Sequence, residues 1–253
     1  MTKLLILNFS LIAVMAVLLW CIKKFVKTER ARNDIFIFSA FLTIAVHYSS
    51  FLYRLVFAGG AMAYLSNNPN LVLPIYPCNL VMWLITVYSL LKNKESKFAR
   101  FIVDYVFWFG LISTLVGMFA NVDFILNPTL RDYEILKSIL AHATLLFNLL
   151  LLPVYGRIKV ELKTNMLHII YSILLMLGVG FYCNLLIGTL VSVEQAYYVN
   201  SMFLIHSPFD GVAFLTYPII ALIAIPLYFA LFTICELFAY EKGNRFYDRY
   251  RKK

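Results

Sequence analysis

Charge is what this chain has least of: of its 253 residues only 14% are Asp, Glu, Lys or Arg, while 62% are hydrophobic. A soluble domain carries roughly a quarter charged residues and about half apolar ones. The shortage excludes an ordinary soluble fold and implies an all-α, polytopic membrane protein. Cysteine is sparse as well. Four residues, Cys21, Cys78, Cys183 and Cys235, show no Cys-x-x-Cys or finger spacing, so no metal or cofactor is implied. Linkers, low-complexity blocks and fixed-period repeats are also missing. One domain over 1–253 is the economical expectation.

What is present is a series of seven apolar segments, each long enough for about 30 Å of hydrocarbon. They run roughly over 4–22, 35–58, 71–91, 101–120, 135–154, 164–189 and 212–239. They are too long and unbroken for barrel strands, and only helices or closed barrels satisfy backbone groups in lipid. The connections alternate in charge. Stretches 23–34, 92–100, 155–163 and 240–253 together hold 18 Lys/Arg, whereas 59–70, 121–134 and 190–211 hold Arg131 alone. The positive-inside rule then puts the N-terminus outside and the C-terminus in the cytoplasm of a cell membrane. The net charge of +9 reads as topology and contact with anionic lipid, not as nucleic-acid binding. Segment one lacks a small-residue cleavage site and is expected to be a retained helix. Apolar residues in the two longer outer loops (Phe124, Ile125, Leu126; Met202, Phe203, Leu204) suggest that these loops dip into the interface.

Ionisable and strongly polar groups inside such segments are costly and tend to face a cavity or a partner. His47 and Arg54 lie seven residues apart on segment two, hence on one face. Segment five holds Lys137, His142 and Asn148, and segment three Cys78 and Asn79. Asn184, Asn200 and His206 follow. Most fall in the outer half. Toward the inner boundary Asp104 has Arg100 one turn earlier, and Glu236 is expected to pair with the basic tail. Structural roles stand beside the functional ones. Arg54 and Lys137 either meet a phosphate or snorkel to headgroups. His47 and His142 either serve chemistry or hold neighbouring helices by hydrogen bonds. Cys78 and Cys183 both fall toward the outer face, where a disulfide is the alternative to two thiols. A metal on His47, Cys78 and His142 would need three helices and has no local spacing signal.

The stretch Leu73-Pro-Ile-Tyr-Pro-Cys78 is the least helical part of any segment. Proline suits a first helical position and damages an interior. A helix beginning at Pro77 puts Cys78 second, among unsatisfied N–H groups at the positive end of the dipole. That setting favours thiolate, the form that attacks acyl carbonyls. The alternative is a kinked helix with an inert cysteine.

LPIYPC is similar to the Leu-Pro-x-x-x-Cys region of YwaF-like bacterial integral membrane proteins. AHATLLFNLLLLPVYGR (141–157) resembles their fifth segment, and YVNSMFLIHSPFDG (198–211) their last outer loop. The three motifs come in the same order and fit along most of the chain. A eukaryotic branch of that group looks like a phospholipid acyltransferase working through an acyl-cysteine. The resemblance implies Cys78 as nucleophile and His142 as general base, with Asn200 shaping the acyl or headgroup site. It departs at Tyr76 and Asn79, where a histidine is common beside the cysteine. It departs again at His206 and Ser207, where an acidic residue is common before the proline.

The resulting expectation is a lipid acyltransferase, transacylase or lipase-like enzyme using a cysteine nucleophile at the outer leaflet. Its partner would be a membrane phospholipid or other acyl lipid, with no cofactor. Arg54, His47, Asn79, Lys137, Asn200 and His206 would contact substrate. A transporter or small-ligand binder is the alternative, since a discontinuous helix aimed into an outward cavity also holds anionic groups. A structural partner of envelope machinery is a third.

Overall fold

The computed structural model describes residues 2–119, 129, 131–207, 212, 214, 216–241 and 243–251. Phe124, Ile125, Leu126 and Pro208 lie outside the described residues. Every regular element among the described residues is a helix: α1 Thr2–Phe25, α2 Glu29–Tyr53, α3 Ala61–Asn67, α4 Pro77–Leu90, α5 Lys97–Asp104, α6 Gly110–Phe119, α7 Tyr133–Val154, α8 Leu162–Leu190, α9 Val193–Val199, α10 Tyr217–Ala239 and α11 Phe246–Arg251. A π-turn at Arg54–Ala58 prolongs α2, and another at Tyr105–Phe109 joins α5 to α6. Six of the resulting rods are long and apolar enough to cross a membrane.

Several helices begin outside the apolar runs. α2 begins at Glu29 instead of residue 35, because the Thr28 hydroxyl accepts from the Ala31 N–H at 3.3 Å. α5 begins at Lys97 instead of 101, capped by Ser96 on the Ala99 N–H at 3.1 Å. Such caps satisfy donors that a helix leaves open, so the charged connections supply the first turns. α1 runs on to Phe25, with Lys23 and Lys24 against its negative end. α10 starts only at Tyr217, after Thr216 and with a proline in its first turn. The expected third span, 71–91, is corrected to a helix of 14 residues, Pro77–Leu90. At 1.5 Å per residue it is about 21 Å long. Two prolines lacking N–H groups stop the helix from extending backwards. Short helices α3 and α9 occupy connections expected to be plain loops.

Contacts gather into two compact units, Met1–Arg157 and Ile158–Lys253. In the first, α2 packs on α7 and α4, and α6 packs on α7 and α4. Val81, Ile85, Ile139 and Leu149 are fully buried there. A polar seam pins α2 to α7. The buried Asn148 side chain donates to the Ser39 carbonyl (3.0 Å) and the Thr43 hydroxyl (2.9 Å), and its Oδ1 accepts from the Ser39 hydroxyl. Gly110 lets α6 close on α4, since a Cβ there would stand 2.8 Å from Val81 Cγ1.

In the second unit α9 and α10 pack on α8. Glu236 is buried; instead of serving only the tail's charges, its carboxylate accepts from the Leu162 N–H (2.7 Å) and the Phe246 N–H (2.8 Å). It thereby caps the first turns of α8 and α11. Met202 is fully buried, and a Cβ on Gly180 would lie 2.7 Å from its Cβ. This residue packs against α8 instead of dipping into the interface.

A double-mutant cycle on Ser39→Ala and Asn148→Ala tests the α2–α7 seam. Interhelical hydrogen bonds in membranes average about 0.6 kcal/mol and reach about 1.7. Unfolding in detergent is expected to show coupling in that range, and strict additivity would contradict the seam.

Candidate active site

Three of the expected site residues belong to the start of α4: Cys78 and Asn79 lie in its first turn, and His47 holds the chain that leads into it. Residues 69–71 form a 3₁₀ turn, and Tyr76 is extended before Pro77 opens the helix. The chain between them is irregular and partly sunk, with Leu71 and Ile75 buried. Its carbonyls need donors. The Asn70 carbonyl accepts from His47 Nε2 at 3.2 Å, and the Leu71 carbonyl accepts from the Tyr48 hydroxyl. Tyr48 is braced edge-on against Trp83, ring centres 6.3 Å apart. Two consecutive residues of α2 thus hold the lead-in segment. His47 serves this clasp and has its Nε2 engaged.

Cys78 is the second residue of α4 and a free, half-buried thiol. Its place in the first turn sets it beside the N–H groups that a helix start leaves open. Asn79 is buried, and its Oδ1 accepts from the Tyr76 N–H at 3.3 Å, closing the helix start. All four cysteines are free, Cys183 included. Among the described residues no group of three or more His, Cys, Asp or Glu is arranged to hold a metal.

His142 lies on α7, which packs on both α2 and α4. Its Nδ1 donates to the Ser138 carbonyl at 2.8 Å. A carbonyl only accepts, so this bond puts the proton on Nδ1 and the lone pair on Nε2. The ring lies flush on α6: a Cβ at Gly117 would collide with Nε2 and Cδ2. His47 lies in electrostatic range of both His142 and Lys137.

Lys137 is not a bare cation. It pairs with Glu134 Oε2 at 2.5 Å and donates to the Tyr64 hydroxyl at 3.0 Å, while that hydroxyl donates to Glu134 at 2.8 Å. Arg54 lies over the Tyr64 ring at 4.7 Å and has no carboxylate partner among the described residues. Two cations, one carboxylate and a tyrosine leave this cluster with one net positive charge, carried by Arg54.

Asn200 and His206 belong to the second unit and hold each other. Asn200 adopts a left-handed φ of 48° and is buried. Its Oδ1 accepts from Ile205 N–H at 2.9 Å, and its Nδ2 donates to the His206 carbonyl at 2.8 Å. His206 Nε2 bonds the Tyr197 carbonyl at 3.1 Å and Nδ1 faces the Asn200 amide at 3.1 Å. Both ring nitrogens are engaged in shaping the loop. Asn184 adds a double link to Ser201, accepting from its N–H at 2.8 Å and donating to its carbonyl at 3.2 Å. Met202 and Phe203 also have positive φ, conformations costly for side chains of this size. The anchors on Asn184 and in the Gly180 hollow hold them there.

Sequence reasoning missed Tyr48, Tyr64, Gly117 and Glu134. The one local sign was a glycine inside a helical run, which often marks close packing. A sequence profile of the TMEM164 family matches residues 1–235, and the chain belongs to that family. It is a multi-pass integral membrane protein. No curated protein and no solved structure matches the chain.

Gly117→Ala should force the imidazole off α6. Overpacking of this kind costs about 1–3 kcal/mol, read as a lower unfolding midpoint in detergent. Gly178→Ala is the control, since a Cβ there meets nothing within 4 Å; it should leave the midpoint unchanged or raise it. Equal effects from the two would contradict the packing of His142 on Gly117.

Proposed function

We propose that this member of the TMEM164 family is a lipid acyltransferase or transacylase in which Cys78 is the nucleophile and His142 the general base. The observation that supports it is the helix start at Pro77, with a free thiol in its first turn. The neighbouring helix α7 carries an imidazole whose Nε2 bears the lone pair. N-terminal amides stabilise a thiolate and, in the transition state, an oxyanion. The lead-in segment is irregular backbone at membrane depth, which is tolerated where it is buried in protein or lines a cavity.

The chemistry runs in two half-reactions. His142 Nε2 takes the Cys78 proton, and the sulfur adds to the ester carbonyl of a donor lipid. The carbon–oxygen bond breaks, the lipid alkoxide leaves with the proton from His142, and an acyl thioester remains. An acceptor hydroxyl then gives its proton to Nε2 and attacks the thioester. The thiolate leaves and regains the proton, so the enzyme is restored. Water in place of the acceptor makes the reaction a hydrolysis. Arg54, with the Lys137–Glu134–Tyr64 cluster behind it, is the cation available to a donor phosphate. His47 positions the lead-in segment, and the Asn79 NH₂ group is the side-chain donor beside the thiol.

In this proposal α4 with its lead-in is a seventh crossing element, and 1–253 acts as one membrane domain. The N-terminus lies outside and the C-terminal tail in the cytoplasm of the cell membrane. The thiol then sits toward the outer leaflet, where cytoplasmic acyl-CoA is absent, so the donor is a phospholipid. The same discontinuous third segment, α4 with its lead-in, also supports a transporter reading.

The protein reconstituted in vesicles with a chain-labelled diacyl phospholipid and a lysophospholipid acceptor should transfer label. Cys78→Ala should abolish transfer. His142→Gln should lower kcat by about 10²–10⁴-fold, the usual worth of a general base, with little change in KM. Transfer that survives Cys78→Ala would overturn the proposal, and saturable solute uptake surviving the same change would support transport.

A further inference from the structure

α4 has a second functional end. Its last residue, Leu90, about 18 Å from Cys78 by helix rise, helps form one wall of a cavity of about 410 Å³ whose other wall is the start of α2. Volumes of about 300–1,000 Å³ are typical of small-ligand sites. Arg30, Asn33, Ser89, Lys92, Lys94 and Arg157 line it, and Glu29 is the one carboxylate on its wall.

That carboxylate is already shared. Arg157 holds Glu29 at 2.5 Å, and Arg32 holds it at 3.0 Å. Glu95, 3.5 Å from Arg157, is the second acid nearby. Arg30 and Lys92 are exposed and have no carboxylate partner among the described residues. Lys94 donates to the Ser89 carbonyl at 2.7 Å and to the Tyr88 carbonyl, closing the C-terminal end of α4. Burial and the Arg157 guanidinium push its ammonium down to about 8, the behaviour of a cation short of negative charge.

A narrow slot adjoins the cavity and shares Asn33, Lys94 and Arg157 with it. The Tyr155 hydroxyl, from a residue lining this slot, is buried and makes no hydrogen bond among the described residues. Burial pushes that phenol up to about 12, so it stays a donor across the physiological range. A buried donor without an acceptor carries a desolvation cost of about 1–3 kcal/mol, which an incoming oxygen would relieve. Cations with guanidinium forks, a hydroxyl donor and a recess of this size match one ligand chemistry.

We propose that the cavity between the start of α2 and the end of α4 binds a phosphate group, carried by an anionic lipid headgroup or by a soluble phosphate. Arg30 and Lys92 supply the unpartnered charge, Lys94 and Arg157 the floor, and Tyr155 the neutral donor. The site is separate from the Cys78 chemistry and does not depend on it. Basic pockets between membrane helices hold anionic headgroups by the same forces.

The test uses the purified full chain in neutral detergent. Its unfolding midpoint is measured with phosphatidic acid in phosphatidylcholine, with phosphatidylcholine alone, and with inorganic phosphate at fixed ionic strength. Arg30→Gln and Lys92→Gln, alone and together, remove exposed charge without touching a packed group. Arg131→Gln removes a cation from the opposite end of α7. Phosphatidic acid should raise the parent midpoint, and each cavity substitution should weaken that effect about fivefold in apparent affinity, following the roughly 1 kcal/mol worth of a cation near anionic lipid. Arg131→Gln should behave as the parent. If inorganic phosphate gives the same pattern and competes with the lipid, the ligand is a soluble phosphate; if it does neither, the ligand is the lipid. Equal shifts with phosphatidylcholine alone, or equal responses from the parent and the double variant, would overturn the site.

Discussion

Backbone carbonyls between Asn68 and Tyr76 leave helical geometry inside a chain that is otherwise built to live in hydrocarbon, and they need donors. His47 and Tyr48 meet that need for Asn70 and Leu71 from one turn of α2. A buried polar group left unsatisfied costs about 1–3 kcal/mol, so the clasp favours a start of α4 as late as Pro77. Everything proposed for Cys78 follows from that late start. A helix continuous through residue 74 would have its N-terminal amides elsewhere, and the sulfur would be one more small side chain in a packed wall.

The imidazole is fixed by a different means. Ser138 sets the tautomer of His142 from one turn earlier on the same helix, and Gly117 on α6 leaves a space of ring thickness beside it. Gly110, two turns before, lets the same face of α6 close on Val81 of α4 and Leu149 of α7. Two glycines on one face thus bring α6 against the helices that carry the thiol and the base. The cluster at the start of α7 is tuned by Glu134, which neutralises Lys137 and leaves Arg54 spread over Tyr64. At the other end of α4 cations again outnumber acids, here around an open recess.

Much of this was legible in the sequence, and the illegible part has a physical cause. Hydropathy and the Lys/Arg asymmetry are summed over many residues, so six long spans and a membrane location survive local errors. Proline removes a donor wherever it stands, so Pro77 could be read as a helix start from its chemistry alone. Segment ends were drawn at the first charges, whereas Thr28 and Ser96 cap helices out in the charged connections; caps follow hydrogen bonding, not hydropathy. Gly117, Tyr48 and Tyr64 act through residues 23 or more positions away, and nothing local announces such partners. Asn200 and His206 looked like ligand-facing polar groups, yet their atoms are engaged with each other and with the loop around them.

The central claim is that the sulfur at the head of α4 carries an acyl group during turnover. Mass spectrometry of peptides from protein incubated with a diacyl phospholipid, without acceptor, tests it most directly. The account predicts an acyl mass on the Cys78 peptide that hydroxylamine removes and that an acceptor lipid discharges. No acyl group at Cys78, or the same labelling at Cys21 and Cys235, would contradict it.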